Sequence, residues 1–327
     1  MVIAHLTRHW IARRHYPLAS WLACIARSLR VLLFYRDHLR LLALDVYRQH
    51  LTQVHDDVFH HLSHRNYLAK GLSLRQRVRC VHTHYRFEDA VFDAAYKHAV
   101  YRDGGLVLWR QDTGGGQVEV RLAMAQRLNA EGDLTLSLLA DGKCVHRLSF
   151  SWVDGRFAGT ADRDVARIGP RIVPFIARNQ GPRADAPDAV AAFKGAFPAN
   201  SPVVTTPGFF CFAALQGIAA ALGMDHVVAV KSAWHCAYLP SDEKHFANAY
   251  DGFWESLGGV PMAGRGWRIA LPLHVKPLAD IPSKHRKRAA VRREQWRVIE
   301  ESAAAAMRRH MVQSAKALRP EPAAQPA

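Results

Sequence analysis

The sequence predicts an α+β fold (mixed α/β), a largely antiparallel central sheet with helices packed on it. Three observations predict it. Residues 118–125 and 133–140 alternate apolar and polar, and Asp141-Gly142 supplies a tight hairpin turn into a third strand. A capping box, Ser73 followed three residues on by Gln76, opens a helical pattern. Strand patterns at 171–177 and 226–230 flank an uncharged helical stretch at 208–222.

From the N-terminus, Arg8, Arg13 and Arg14 precede a short apolar run from Pro17 to Ala26, as in a signal peptide, but Arg27 and Arg30 follow at once. The run reads as a basic amphipathic helix. Residues 18–64 carry apolar side chains at helical spacing and predict two or three basic helices. The capping box starts a helix over 73–87, with Leu74, Val78, Val81 and Tyr85 on one face. Arg75, Arg77, Arg79 and Arg86 lie elsewhere on its surface.

Gly114-Gly115-Gly116 leads into a strand rather than a helix, so it predicts a flexible loop and not a phosphate cradle. After the Asp141-Gly142 turn, Cys144, His146, Leu148, Phe150 and Trp152 are expected on one strand face. A short helix at 186–197 follows the 171–177 strand. The helix at 208–222, stopped by Gly223, is too short after Pro207 and Gly208 to span a bilayer and reads as a core helix. Further expectations are a strand at 267–273, a basic helix at 285–316 and a disordered Pro/Ala-rich tail from Pro320. The organisation expected is a basic helical region at 1–65, an α+β domain at 66–300, and a helix end with tail at 301–327.

The chain has 327 residues, with 44 Lys+Arg against 28 Asp+Glu, a net charge of +16 with 19 histidines neutral. With 49% apolar residues, wholesale disorder is excluded. The charge points to an acidic partner: an anionic ligand, an acidic carrier protein or an anionic membrane surface. Nucleic acid ranks last, because no recognised binding motif accompanies the charge. The five cysteines lack CxxC spacing, so disulfides and structural zinc are not expected, and a reducing, cytoplasmic setting fits.

Metal sites are not expected. His60 and His64 lack further ligands, and Cys80, His82 and His84 do not share a helix face. Arg178, Asn179, Gln180 and Gly181 end a buried strand, a common place for a binding cleft, and are ligand-binding candidates. His235, after the next strand, is a candidate general base. Its neighbour Cys236 would point the other way in an extended segment, so the two form no dyad. Ser283, Lys284 and Arg286 belong to a cationic cluster at a helix start, where cations are locally unfavourable, and are candidate anion ligands.

An ordered set of segments then resembles one bacterial family. They are Tyr67-Leu68-Ala69-Lys70-Gly71-Leu72-Ser73 with Arg77, His84-Tyr85-Arg86-Phe87, and Gln180-Gly181-Pro182. They continue with Tyr250-Asp251-Gly252-Phe253-Trp254-Glu255-Ser256-Leu257-Gly258-Gly259, Leu271-Pro272-Leu273 and Ile281-Pro282-Ser283-Lys284-His285-Arg286. Over about residues 60–300 the chain resembles the VirK/YbjX family, a domain of unknown function of Gram-negative bacteria. The resemblance implies links to virulence, envelope stress and resistance to cationic antimicrobial peptides, and carries no catalytic residue. Two departures stand out: Ala177 where the family has glycine, and Phe197-Pro198-Ala199-Asn200-Ser201-Pro202 before the buried helix.

The order of elements is also similar to the acetyltransferase superfamily's cofactor-binding core, which implies an acyl-CoA or acyl-carrier-protein donor. Residues 182–207, with a helix of their own, separate Gly181 from the buried helix, where that superfamily has a short glycine-rich loop. The alternative is a non-enzymatic factor, peripheral at the inner membrane, binding anionic partners through its basic helices.

Overall fold

The computed structural model describes residues 17–29, 33–51, 66–125, 131–159, 172–181, 187–197 and 206–313. His60, His64, Pro182, residues 198–205 and the Pro/Ala tail lie outside them. The fold is α+β. Among the described residues, eight strands form one sheet in the order β1-β2-β3-β4-β5-β6-β8-β7. They are β1 (Leu106–Thr113), β2 (Gly116–Met124), β3 (Leu134–Ala140), β4 (Lys143–Asp154), β5 (Ile172–Gln180), β6 (His226–Val230), β7 (Val260–Pro261) and β8 (Gly266–Ala270). Every neighbouring pair is antiparallel except β5 and β6.

The helices are α1 (Leu18–Leu29), α2 (Tyr35–Leu42), α3 (Leu74–Val91), α4 (Ala94–Tyr101), α5 (Gly155–Ala158), α6 (Pro187–Gly195), α7 (Gly208–Ala221), α8 (Glu243–Phe246), α9 (Gly252–Ser256) and α10 (Ser283–His310). The predicted capping box is formed: Gln76 N–H donates to Ser73 Oγ, and Ser73 N–H to Gln76 Oε1. Leu134, Leu136 and Leu138 pair with Phe150, Leu148 and His146, as the alternation requires.

Four sequence expectations need correction. Cys144 pairs with Leu139 rather than continuing the His146 row, because a bulge falls between Leu138 and Leu139 and breaks the period of two. The strand expected at 171–177 runs on to Gln180, paired with Arg147–Ser149, so Arg178, Asn179 and Gln180 are strand residues. Gly114 and Gly115 make a tight β1–β2 turn held by Thr113 Oγ1. A Cβ on Gly115 would lie 2.0 Å from the Gly195 carbonyl oxygen, so the turn is packed against α6. The final helix ends at His310, and β1 and α4 were not anticipated.

α7 is apolar over most of its surface because the sheet and α10 cover most of it. A Cβ on Gly217 would sit 2.2 Å from the Glu300 carbonyl oxygen, so glycine there sets how closely α7 and α10 approach.

Two buried carboxylates tie α3 to the sheet. Glu88 accepts from Trp152 Nε1–H at 2.5 Å, Tyr101 hydroxyl at 3.0 Å and Tyr96 hydroxyl at 3.3 Å. Asp133 accepts from the hydroxyls of Tyr67, Tyr85 and Ser151, while its own N–H donates to Ser151 Oγ at 3.0 Å.

Burial raises the Glu88 carboxyl to about 7, against the opposing pull of its donors and Lys97. A raised folded pKa means the fold prefers the neutral acid. Its contribution is therefore full below the ordinary value of 4.5 and is lost as pH rises to about 7. We expect the unfolding free energy of the wild type, read from urea titrations, to fall over that window by an amount of order 3 kcal/mol. Glu88→Gln should flatten that slope; an unchanged slope would show that Glu88 does not titrate there.

Candidate functional site

Among the described residues the sheet has one parallel junction, and it frames the candidate site. β5 and β6 pair at only two positions, Phe175 with Val228 and Ile176 with Ala229. Ala177 then forms a bulge, since Phe150 faces Ile176 and Ser149 faces Arg178. Beyond it β5 continues along β4 to Gln180, while β6 stops at Val230 and the chain turns through Ser232–Trp234. The strand ends part, and polar side chains collect in the opening.

His235 stands at its centre, 3% exposed. Its Nδ1 accepts the Ala237 N–H at 3.1 Å, which leaves the proton of the neutral ring on Nε2. Nε2 lies 2.9 Å from the Tyr250 hydroxyl and 3.6 Å from Glu131 Oε1. Burial, aided by Arg178 and Lys70, lowers the imidazole to about 4, so it is neutral at neutral pH. The Asn179 N–H, a strand donor left without a strand partner, reaches the Tyr250 hydroxyl at 3.4 Å. Asn179 Nδ2 donates to the Ala249 carbonyl at 3.1 Å, and its Oδ1 meets His146 Nε2 at 2.8 Å. Burial lowers His146 to about 4 as well. α7 begins beside this pair, where a Cβ on Gly208 would meet His146 Nε2 at 3.2 Å and Asn179 Oδ1 at 3.3 Å.

Glu131 pairs with Arg178 at 3.4 Å, and burial raises its carboxyl above the ordinary value despite that cation. Burial also raises the Tyr250 phenol and pushes the Cys236 thiol up to about 12, so both keep their protons at neutral pH. Arg178 also lines a cavity of about 420 Å³ together with Lys143, His146, Arg147, Gln180 and Gly181; Asp188 is the acidic residue on its wall.

Two of the segments quoted for the family resemblance, Tyr67–Ser73 and Tyr250–Gly259, border this opening. Lys70 N–H donates to the Trp234 carbonyl at 2.8 Å, and Lys70 Nζ reaches the Tyr238 carbonyl. Asp251 accepts from Ser232 N–H at 3.0 Å and Trp267 Nε1–H at 2.8 Å. Trp254 Nε1–H bonds the Val230 carbonyl at 3.0 Å. These segments hold the His235 turn and the end of β6 in place.

Of the predicted candidates, Arg178, Asn179 and His235 converge, and Gln180 and Gly181 line the cavity beside Arg178. Ser283, Lys284 and Arg286 do not join them: they are exposed at the start of α10. Arg286 spends its guanidinium on the Ile281 and Ala279 carbonyls, each at 2.8 Å. Glu131, Tyr250, His146, Lys143 and Arg147 were not anticipated as site residues. Only Tyr250 carried a signal, its place in the Tyr250–Gly259 segment. Cys80, His82 and His84 form no ligand cluster; His84 instead accepts the Trp152 N–H at 3.2 Å. Among the described residues no helix is long and apolar enough to cross a membrane.

The "Uncharacterized protein YbjX" of Escherichia coli (strain K12) is 27% identical over 241 residues, which cover 70% of this chain and 66% of that protein. No solved structure matches. The family described as "Protein of unknown function (DUF535)" matches residues 23–161 and 205–306, which include β1–β4, α7, His235 and Tyr250. The chain is a member of this family, the VirK/YbjX family.

Proposed function

We propose that the chain is an acyltransferase-like enzyme drawing on an acyl-CoA or acyl-carrier-protein thioester. The observation that carries the reading is the parting of β5 and β6 beyond two paired positions, with ionisable groups in the gap and a cationic cavity alongside. Ligands of α/β sheets bind where adjacent parallel strand ends diverge. The layout is similar to the acetyltransferase superfamily's core: antiparallel strands, one parallel junction, a bulge before the opening and a helix starting beside it. Likeness of layout carries function only through the residues present.

Those residues suit the chemistry. Lys143, Arg147 and Arg178 give the cavity three cations for a phosphate-bearing donor. Side chains here do the work of the glycine-rich N–H cradle, because residues 182–207 intervene before α7. Glu131 accepts the proton of the acceptor amine or hydroxyl as it attacks the thioester carbonyl. The carbon–sulfur bond breaks, and Tyr250 donates a proton to the departing sulfur. His235 touches both and orients them. A Cys236 thiol held up to about 12 is a poor nucleophile, which favours direct transfer over an acyl-cysteine.

Such donors are cytoplasmic, and a place in the cytoplasm, peripheral at the inner membrane, goes with this reading. So do the roles in virulence, envelope stress and antimicrobial-peptide resistance that the family implies, if the acceptor is an envelope component. The test is release of free thiol from a chain-length series of acyl-CoAs and acyl carrier proteins, each offered with amine and hydroxyl acceptors. Turnover of one donor class is expected. Folded protein that releases thiol from none of them would overturn the reading.

A further inference from the structure

A second cationic surface lies away from the opening. α2 and α3 enclose a groove of about 730 Å³ lined by Arg40, Arg75, Arg79, His82 and Arg86, with Asp37 as its acidic residue. Arg75, Arg79, His82 and Arg86 recur along α3 at steps of four, three and four, which puts them on one helix face. Arg40 pairs with Asp37 at 3.6 Å. Arg75, Arg79 and Arg86 are exposed and make no ion pair among the described residues. Four arginines against one aspartate repel one another unless an anion joins them.

Apolar side chains stand exposed on the same helices. Leu39 on α2 is 48% exposed and Leu33, just before α2, is 80% exposed. On α1, Leu18, Leu22 and Leu29 are exposed and fall on one face, while Trp21 on another face is buried. Scattered exposed leucines are ordinary. Exposed leucines on α1 and α2, together with an unneutralised arginine stripe on α3, match the headgroup–acyl boundary of a bilayer, which offers phosphate and hydrocarbon together. A soluble anion or a nucleic acid would use the arginines and leave the leucines without a role.

We propose that α1, α2 and the arginine face of α3 dock this chain on a membrane surface bearing anionic phospholipid. Arg75, Arg79 and Arg86 take the lipid phosphates, and Leu22, Leu29 and Leu39 enter the acyl boundary. The site is independent of the proposed transfer chemistry, and Glu131→Gln protein should dock as the wild type does.

The test is flotation of the full chain with phosphatidylcholine vesicles, with and without phosphatidylglycerol. The wild type should float with the anionic vesicles and far less with the neutral ones. Combined Arg75→Gln, Arg79→Gln and Arg86→Gln should lower partitioning roughly a hundredfold, at about fivefold for each arginine near the surface. Leu22→Ser with Leu39→Ser should lower it roughly tenfold at high salt, where screening leaves the apolar contribution. Circular dichroism of each variant confirms that it is folded. Equal flotation with neutral vesicles, or wild-type flotation by the folded arginine variant, overturns the proposal. So does full retention by the leucine variant, which would assign the groove to a soluble phosphate. Tighter binding of duplex DNA than of anionic vesicles at equal salt would likewise overturn it, in favour of nucleic acid.

Discussion

Asp133→Ala is expected to lower stability by about 3–5 kcal/mol, the range for breaking a buried charged network from one side. Asp133 is fully buried and takes hydroxyls from three separate elements: Tyr67 before α3, Tyr85 within α3, and Ser151 on β4. Alanine removes the shared acceptor and strands these donors away from water, where each unmet group costs about 1–3 kcal/mol. For a chain of this size the loss corresponds to a fall of roughly 10 °C in Tm. Asp133→Asn keeps one acceptor oxygen and should cost less than half as much. Urea unfolding of both variants checks the ranking. Equal, small losses would mean that the three hydroxyls find other partners. The change should also reach the candidate site, because Glu131 lies two residues away on the same turn.

Glu131→Gln is expected to reduce thiol release by a factor of about 10²–10⁴, the usual contribution of a general base. Glutamine keeps the size and the polar contact with Arg178 and His235 but cannot accept the acceptor's proton. The wild-type profile of kcat/KM should rise with pH through the raised pKa of Glu131, above its ordinary 4.5, because the ionised form is the active one. The glutamine variant should lose that limb while keeping the wild-type unfolding midpoint. Tyr250→Phe should lower kcat with little change in KM, since the hydroxyl acts on the departing sulfur. If Glu131→Gln leaves rate and pH profile intact, the base is elsewhere and Glu131 merely balances Arg178.

Much of the fold was legible because local pattern and tertiary burial agree. Leu134, Leu136 and Leu138 alternate in sequence and face Phe150, Leu148 and His146 in the sheet. The capping box at Ser73 starts α3 where the sequence places it. α7 reads as a core helix from its lack of charge and is one. Illegibility follows irregularity. β1 escapes the period of two because its pairing shifts between Val107 and Trp109. Cys144 is displaced from the His146 row by the bulge beside it. The site itself was half visible: polar residues at strand ends marked Arg178, Asn179 and His235. Glu131 sits in a turn with no periodic signal, and Tyr250 in an irregular turn at 247–251, so only the folded chain brings them to His235. The cluster at Ser283–Arg286 looked like an anion site by charge alone, yet Arg286 already bonds the carbonyls of the approach to α10.

The central claim is that the opening between β5 and β6 receives a phosphate-bearing thioester donor. Calorimetric titration of the folded chain with CoA, an acyl-CoA and an acyl carrier protein tests it most directly. The account predicts saturable binding of at least one of these, weakened about tenfold or more by Arg147→Ala and by Arg178→Ala, as loss of a charge-assisted phosphate contact requires. No binding of any of them by folded wild-type protein, or binding untouched by both substitutions, would contradict it.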